Sequence, residues 1–465
     1  MACTHDHKEC VIVSCKEMAR EEFSFATNDT ATGTYSRHWQ SGSDVNGREN
    51  VGNNFSRRKV SCGCNALCIG TVVLVIFGVV LLCIGFIVAY ENEGQVIAIV
   101  DLVSVELPPE QAVWFEKNLA ELRNAFRVME ENKRRAKNVV LFVALDSAEI
   151  PAGEARPIWE SFPHLALLRP TREHTRTSFN PTSMFCGIEV YEHSVGFDST
   201  VKPSDDCVGP VNITHRAASI VQWAQAVGRR TGVLTNGEIV HPFPAALYAH
   251  TPNASWHYTS PDDQRCPDVR SQLLQSETAA RLNVIAGTMN CPEEFCRESF
   301  GVEWKRAKTE DGFRYKLWKD VSDMLDSDDD YEHALGIYDQ QSLAAPGAFF
   351  DLTVGALNGL ISPEGFLLVA IADPNIPIGM SEIDAAVRIT LHKLSRVLDD
   401  SLIVVIRSEA RERGSSFATV HATGPMSHLL HRVHNQTFLA HFISYAARIG
   451  RFRDADLTNL ILQIL

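Results

Sequence analysis

The stretch Asn138–Leu145, with the sequence NVVLFVAL, is one asparagine followed by seven apolar residues. A short continuous apolar run of this kind is typical of a strand that is buried on both faces of a parallel sheet. Comparable runs follow at Thr231–Leu234, Arg281–Ala286, Gly365–Ala372 and Ser401–Ile406. We therefore predict a parallel β-sheet that is covered on both sides.

Segments with helical periodicity separate these runs. They are Glu110–Arg134, Thr214–Val227, Cys266–Ser276, Glu382–Leu398 and Pro425–Arg448. The alternation of strands with helices predicts an α/β fold with a large, mostly parallel central sheet. Residues 91–465 are expected to form one such domain, which is larger than an average domain but compatible with a large sheet.

An uncharged run of 25 residues, residues 66–90, precedes this domain. A bilayer core of about 30 Å needs about 20 apolar residues, so the run predicts one transmembrane helix. A cleaved signal peptide fits less well, because its apolar core is shorter and lies nearer the N-terminus. Arg57–Lys59 precede the run and Glu91 and Glu93 follow it, which predicts a type II signal-anchor. The domain at residues 91–465 would then lie outside the cell or in the lumen of the secretory pathway.

The acid excess of the chain is confined to the predicted exterior part. The formal net charge is -14, while residues 1–65 carry equal numbers of acidic and basic side chains. This excess argues against a nucleic-acid partner, which needs a basic face. Residues 1–65 are rich in polar residues and are expected to form a disordered cytoplasmic tail. Cys62, Cys64 and Cys68 at the inner membrane edge are either palmitoylated or unmodified thiols.

The predicted exterior part contains five cysteines and three glycosylation sequons. The cysteines are Cys186, Cys207, Cys266, Cys291 and Cys296, and the sequons begin at Asn212, Asn253 and Asn435. Cysteines outside the cell pair where their geometry allows. Because the number is odd, one thiol stays free or pairs between chains.

A collinear series of segments resembles the animal alkaline phosphatases over roughly residues 109–449. The segments are Ala136–Phe142 (AKNVVLF), Phe162–Leu167 (FPHLAL), Cys186–Gly187, His241–His250 (HPFPAALYAH), Gly365–Val369 (GFLLV) and Gly424–His441 (GPMSHLLHRVHNQTFLAH). The resemblance implies a three-layer α/β/α sandwich. It also implies a Cys207–Cys266 disulfide and an unpaired Cys186, which leaves Cys291 and Cys296 as a local pair.

The family hydrolyses phosphate monoesters with a serine nucleophile, two zinc ions, a magnesium ion and a phosphate-binding arginine. Thr177 stands at the position of the serine, and Arg176 replaces the zinc-binding carboxylate beside it. Leu145 occupies the position of the metal-bridging aspartate, with Asp146 one residue away. Ala254 replaces the phosphate-binding arginine. Among the family ligands, His241 at a magnesium position is retained.

The remaining ligand positions of the family are also changed. Asp373 is the one acid in the matching stretch Ala370–Gly379, and it is out of register with the family's ligands. Glu409 stands where the family has a histidine, and Arg413 replaces the last zinc-binding histidine. A guanidinium cannot ligate zinc. No cofactor is therefore expected.

The family's crown insertion is expected to be missing, since only Ala410–Glu412 fills its place. The crown contributes to the family's dimer surface, so the resemblance leaves a homodimer in doubt. The apolar end Leu460–Leu465 is too short for the glycolipid-anchor signal of the family, and the N-terminal span is expected to replace that anchor.

Three functional hypotheses follow. The first is an inactive, membrane-anchored pseudoenzyme that binds an unknown ligand or protein partner in its outer domain. The second is an active phosphomonoesterase with a reorganised site, made from Asp146, Thr177, His241, Asp373 and Glu409. The third is a surface structural or adhesion protein in which the cleft has no role.

One histidine cluster offers a separate metal-site hypothesis. His428, His431 and His434 are spaced to share one stripe of the predicted helix at Pro425–Arg448. The alternative is that they are structural, because the family has histidines here that it does not use as catalytic ligands.

Overall fold

The computed structural model describes part of the compact unit Leu107–Leu465. The described residues are 132–147, 156–173, 176–190, 193–202, 213–262, 265–291, 296–325, 330–373, 376, 379–409 and 417–453. The predicted tail at residues 1–65 and the predicted span at residues 66–90 lie outside this part. Within it, no helix combines the length and apolar character that a membrane crossing requires.

The strands are short, and their bounds follow the apolar runs. They are β1 (Asn138–Ser147), β2 (His164–Arg169), β3 (Thr171–Glu173), β4 (Arg176–Ser178), β5 (Arg230–Glu238), β6 (Val284–Thr288), β7 (Tyr315–Trp318), β8 (His333–Tyr338), β9 (Phe366–Ile371), β10 (Ser401–Glu409), β11 (Ala418–Thr423) and β12 (Arg432–Asn435). All five predicted strands are present among them, although the third begins at Val284 rather than at Arg281.

The helices lie between these strands. They are α1 (Pro181–Cys186), α2 (Ile220–Gln225), α3 (Pro242–Ala245), α4 (Val269–Gln275), α5 (Glu277–Ala280), α6 (Cys296–Glu310), α7 (Gln340–Leu343), α8 (Ala348–Leu360), α9 (Met380–Lys393) and α10 (Phe438–Ala447). Polar side chains cap the N-termini of several helices. The side chain of Asn180 accepts a hydrogen bond from the Ser183 amide at the start of α1, and the side chain of Asp268 accepts one from the Ser271 amide at the start of α4. Such caps satisfy amides that have no partner inside the helix.

Ten of the described strands form one sheet in the order β12-β2-β11-β10-β1-β9-β5-β6-β8-β7. The central strand β1 is parallel to both of its neighbours, β9 and β10. Strand β11 runs antiparallel to β10 and to β2, so the sheet is mixed but mostly parallel. The predicted α/β fold with a large, mostly parallel sheet is confirmed.

Side chains of β1 divide between two hydrophobic clusters. Val139, Leu141 and Val143 belong to one cluster, together with apolar residues of α1, α2, α4, α6 and α10. Val140 and Phe142 belong to the other cluster, with apolar residues of α8 and α9. Because successive side chains of a strand point to opposite faces, helices cover both faces of the sheet. The chain therefore forms the predicted three-layer sandwich.

The predicted helix at Pro425–Arg448 is wrong over its first half. A short 3-10 turn, Ser427–Leu429, and strand β12 occupy that half, and α10 begins only at Phe438. Strand β12 pairs with β2 at the edge of the sheet, and this pairing overrides the helical spacing of the sequence. Consequently, His428, His431 and His434 do not share a helix stripe.

Candidate functional site

A cavity of about 240 Å³ opens at the carboxyl ends of three neighbouring strands, β1, β5 and β9. The register pairs Val143 of β1 and Thr235 of β5 with Ile371 of β9, which brings the three strand ends together. The described lining consists of Val143, Leu145, Phe179, Thr235, Glu238, His241, Phe243, Pro244, Ile371, Ala372 and Asp373. Open α/β sheets bind their ligands at this edge.

His241 lies at the cavity between the end of β5 and the start of α3. Its backbone carbonyl accepts the Ala245 amide, while its side chain makes no capping hydrogen bond. Burial lowers the pKa of His241, and the neighbouring His257 lowers it further, whereas Asp373 and Glu238 oppose this shift. The balance favours the neutral imidazole near neutral pH.

Glu238 ends β5 and is held by two neutral donors. The Tyr258 hydroxyl donates to Oε2 at 2.9 Å, and the Asn290 side-chain amide donates to Oε1 at 3.1 Å. The backbone amide of Asn290 in turn donates to the Tyr258 hydroxyl oxygen at 2.8 Å. Burial, and secondarily the Glu238 charge, raises the pKa of Tyr258, so the phenol stays protonated and keeps donating.

Asp373 follows β9 and lies against Asn236 and Gly237 of β5. Its amide donates to Oδ1 of the fully buried Asn236 at 2.7 Å, and the Asn236 amide group donates to the Ile376 carbonyl at 3.3 Å. A Cβ added to Gly237 would overlap Oδ2 of Asp373 and would lie 2.6 Å from its Cβ. The end of β5 and the segment after β9 therefore approach so closely that position 237 requires glycine.

Replacing Gly237 with alanine is expected to lower the free energy of unfolding by about 1–3 kcal/mol, the usual cost of overpacking. The clash involves the Cβ of Asp373, which cannot move without its backbone. The matched control is Gly301→Ala in α6, where a Cβ would meet no atom within 4 Å. This change is expected to raise stability by about 0.5–1 kcal/mol, because alanine favours the helix. Urea unfolding of both variants measures the difference, and equal effects would contradict the assigned close approach.

The backbone also brings other predicted site residues to this edge of the sheet. Ser147, which follows Asp146, pairs with Glu409 where β1 and β10 end. Thr177 lies on β4 and pairs with Arg172 in the hairpin β3–β4. The side chains of Asp146, Thr177 and Glu409 lie outside the described part of the structure, so their roles stay predictions.

The cysteines divide as follows. Cys291 and Cys296 form a disulfide with a Cα–Cα distance of 6.0 Å. Cys186 is a buried free thiol whose pKa burial raises to about 12. Cys266 is disulfide-bonded to a residue outside the described part, and the Cys207–Cys266 pairing stays a prediction.

Two of the predicted glycosylation sites lie among the described residues. Asn435 is exposed at the end of β12. Asn253 is half-buried, and its side-chain oxygen accepts the Ser255 amide at 2.9 Å and the Ser255 hydroxyl at 2.7 Å. Ala254, at the position of the family's arginine, packs against the core beside them. Asn212 lies outside the described residues.

Comparisons with known proteins agree with this architecture. A family model described as alkaline phosphatase matches residues 148–297. The membrane-bound alkaline phosphatase of Bombyx mori is 28% identical over 223 residues, which are 39% of this chain and 40% of that protein. The tissue-nonspecific isozyme of alkaline phosphatase from Gallus gallus is 28% identical over 204 residues, 38% of each chain. Over this part of its length the chain is similar in sequence to the alkaline phosphatases, and it diverges from them strongly.

A solved alkaline phosphatase has a similar fold. The enzyme from the Antarctic bacterium TAB5 superposes with a TM-score of 0.51 at 15% identity, covering 69% of this chain and 100% of that chain. In contrast, the chain spans about two fifths of the length of the curated relatives that it matches. The similarity in fold therefore extends over a larger part of this chain than the similarity in sequence.

The described donors do not fit the zinc and magnesium centre that the resemblance implies for alkaline phosphatases. No group of three or more metal-binding side chains occurs in the described part of the chain. Both Glu238 oxygens accept hydrogen bonds from neutral donors, and Asp373 has interactions of its own. His241 is one imidazole, whereas zinc in proteins takes three or four protein ligands. The expectation of no cofactor stays a prediction, because several side chains at this edge are not described.

Glu238 is the site residue that sequence reasoning missed. It lies three residues before His241, beyond the apolar run Thr231–Leu234 that predicted the strand. The sequence signal for this residue is an acid that follows a predicted strand and lies close to a retained family histidine. A position-by-position match to the family ligands does not reveal Glu238, because it does not stand at any of their positions.

Proposed function

We propose that the chain is a type II membrane-anchored alkaline phosphatase-like pseudoenzyme, whose outer domain binds a ligand in its cleft without hydrolysing phosphate esters. One observation carries the proposal: the cavity at the family's catalytic edge is walled mainly by hydrocarbon, with seven apolar residues among the eleven described. A site for phosphoryl transfer needs cations that neutralise the charge of the transition state.

The electrostatics of the cavity support the loss of phosphatase chemistry. Its described titratable residues are two acids and one histidine, and burial disfavours a positive charge on that histidine. The family's phosphate-binding arginine is replaced by Ala254. Among the described lining residues, a phosphate dianion would find no lysine or arginine to offset the loss of its hydration.

The second candidate is an active phosphomonoesterase with a reorganised site. The observation in its favour is that His241 and Asp373 line the same cavity, at the edge where Asp146 and Glu409 end neighbouring strands. A purely structural or adhesion role is less compatible with this cavity than a binding role is, because an empty apolar cleft costs stability.

The anchoring belongs to the proposal as well. Its support is the sequence alone: the uncharged run at residues 66–90 and the basic residues before it. We place the protein in the plasma membrane or another membrane of the secretory pathway, with residues 91–465 on the outer side. Its protein partner and its oligomeric state stay open.

The proposal predicts no turnover of a chromogenic phosphate monoester by the purified full chain at alkaline pH, with zinc and magnesium supplied. Thr177→Ser, which restores the family's nucleophile type, is expected to leave the rate at background, because a nucleophile without its metal ions is not activated. An active alkaline phosphatase assayed in parallel is the positive control. Turnover above background that Thr177→Ser accelerates would refute the pseudoenzyme and favour the reorganised site.

A further inference from the structure

The two faces of β2 and β12 are packed unequally. Ala166 and Leu168 of β2 belong to the hydrophobic cluster that includes α10. His434 of β12 lies on the same side, because its ring stacks on that of Phe438 of α10 with the centroids 4.0 Å apart. On the opposite side, no described residue of β2 or β12 belongs to the cluster under α8 and α9. One face of these two strands is therefore packed, and the other lies outside both described clusters.

The second face, which we call the open face, is formed by Leu165, Leu167, Val433 and Phe417. The register pairs Val433 with Leu167, and side chains two positions apart on a strand share a face, so Leu165 belongs to it as well. Phe417 precedes β11, and the Arg169 guanidinium lies 5.8 Å from the centroid of its ring. Leu165 is 52% exposed, Val433 45% and Phe417 40%. Such a cluster of exposed apolar side chains indicates a surface that another group covers.

Asn435 lies at the rim of the open face. It pairs with Arg169 of β2 and follows Val433 by two positions, so its side chain projects from the same side of the sheet. Asn435 is exposed, and its side-chain amide makes no hydrogen bond to the described part of the chain. Together with Thr437 it forms an Asn-Gln-Thr sequon, the acceptor of N-linked glycans in secreted proteins. A glycan attached here would begin beside the exposed apolar side chains.

We propose that Asn435 carries an N-linked glycan that lies over the open face and covers its apolar side chains. The side-chain nitrogen of Asn435 bonds to the anomeric carbon of an oligosaccharide that is carried on a lipid diphosphate. The bond from that carbon to the diphosphate oxygen breaks, so the lipid diphosphate leaves with the electron pair, and the amide loses one proton. This inference rests on the proposed function, because the transfer requires residues 91–465 on the outer or lumenal side of the membrane.

The position of Asn435 suits this cover. Its attachment places the first sugars beside Arg169, whose guanidinium donates to hydroxyl oxygens, and beside Val433, which presents hydrocarbon to the C–H groups of the sugars. Strand β12 is also the last strand of the ten-stranded order, and an edge strand is open to pairing with other chains. Because a glycan is bulky and solubilising, it covers the open face without adding apolar surface.

Glycopeptide mass spectrometry of the full chain, produced in a eukaryotic host, measures the modification itself. Asn435 is expected to carry a glycan in most molecules. An unmodified Asn435 in a chain that is glycosylated at Asn212 or Asn253 would overturn the inference and leave the outward placement of the domain intact. A chain that is unmodified at all three sequons would contradict both the inference and that part of the proposed function.

Hydroxyl-radical footprinting tests whether the glycan covers the open face. The full chain in lipid nanodiscs is labelled before and after enzymatic removal of its glycans under native conditions. Labelling of Leu165, Val433 and Phe417 is expected to rise severalfold on removal, because radicals then reach side chains that the sugars had covered. Val302 on α6, which is 67% exposed, is the matched control and should be labelled equally in both samples. Unchanged labelling of the open face in a chain that is glycosylated at Asn435 would overturn the inference.

Two variants remove this sequon alone, through different residues. Asn435→Gln and Thr437→Ala are each expected to reproduce the rise in labelling of the open face. Thr437→Ser keeps the sequon and is the matched control, which should keep the original labelling. Thr437 makes no side-chain capping hydrogen bond at the start of α10, so these changes leave the helix end intact. An equal rise with Thr437→Ser, at full glycosylation, would show that the cover does not depend on the glycan; if a variant fails to fold, the enzymatic comparison on the unaltered chain decides.

Discussion

Replacing Phe142 with alanine is expected to lower the free energy of unfolding by about 3–5 kcal/mol, the usual cost of removing a buried aromatic ring. Phe142 is 1% exposed and lies in β1, where its backbone pairs with Ala370 of β9 and Val405 of β10. One of these neighbours is alanine, whose small side chain cannot fill the space that the ring would leave. The cavity would therefore persist and add to the lost burial.

The position of Phe142 makes the substitution a test of the sheet centre alone. Its side chain belongs to the cluster under α8 and α9, whereas Val143 and Leu145 face the functional cavity from the other cluster. The matched control is Phe417→Ala, because Phe417 is 40% exposed. This control is expected to cost less than about 1 kcal/mol. Chemical denaturation of both variants gives the comparison, and similar losses would show that β1 is not the centre of the core.

Lowering the pH from 7 to 5 is expected to reduce the free energy of unfolding by about 4 kcal/mol. Burial lowers the pKa of His250 and of His333 to about 4, from an ordinary value of 6.5. His333 donates through Nδ1 to the Leu282 carbonyl at 2.7 Å, and the nearby Lys308 adds a charge that disfavours protonation. The folded chain therefore keeps both imidazoles neutral at pH 5.

The sign of the effect follows from proton uptake. The unfolded chain binds protons at these histidines as the pH falls through 6.5, whereas the folded chain binds them only near pH 4. Stability is thus fully present above pH 6.5 and is lost as the pH falls below it. His333→Asn keeps an amide donor for the Leu282 carbonyl and removes one titration, so it should remove about half of the loss. Unfolding free energies that stay constant between pH 7 and pH 5 would contradict the assigned burial.

The sequence predicted the centre of the fold better than its edges. The run Asn138–Leu145 predicted β1, because a strand covered on both faces must be apolar at nearly every position. Strand β12 was missed because it lies at the edge of the sheet, where three of its four residues are exposed and no apolar pattern is required. Helix α6 was missed as well, since most of its residues are polar and it buries only Cys296, Phe300, Trp304 and Lys308.

The site was predictable only in part. His241 and Asp373 were proposed from their positions in family segments, and the structure brings both to one cavity. Their proximity depends on the pairing of β5 with β9, whose residues are more than a hundred positions apart in the chain. Neither periodicity nor local spacing carries information about such long-range pairing. The roles of Glu238 and Asn236 depend on the same pairing, and for that reason they emerge only from the folded chain.

Zinc content tests the loss of phosphatase chemistry most directly. The purified full chain is incubated with zinc, freed of loosely bound metal by dialysis, and measured by atomic emission alongside an active alkaline phosphatase. A cleft that lacks the family's ligands predicts far less than one zinc ion per chain, whereas the active enzyme should retain about two. Retention of about two zinc ions per chain, together with hydrolysis of a phosphate monoester, would contradict the pseudoenzyme.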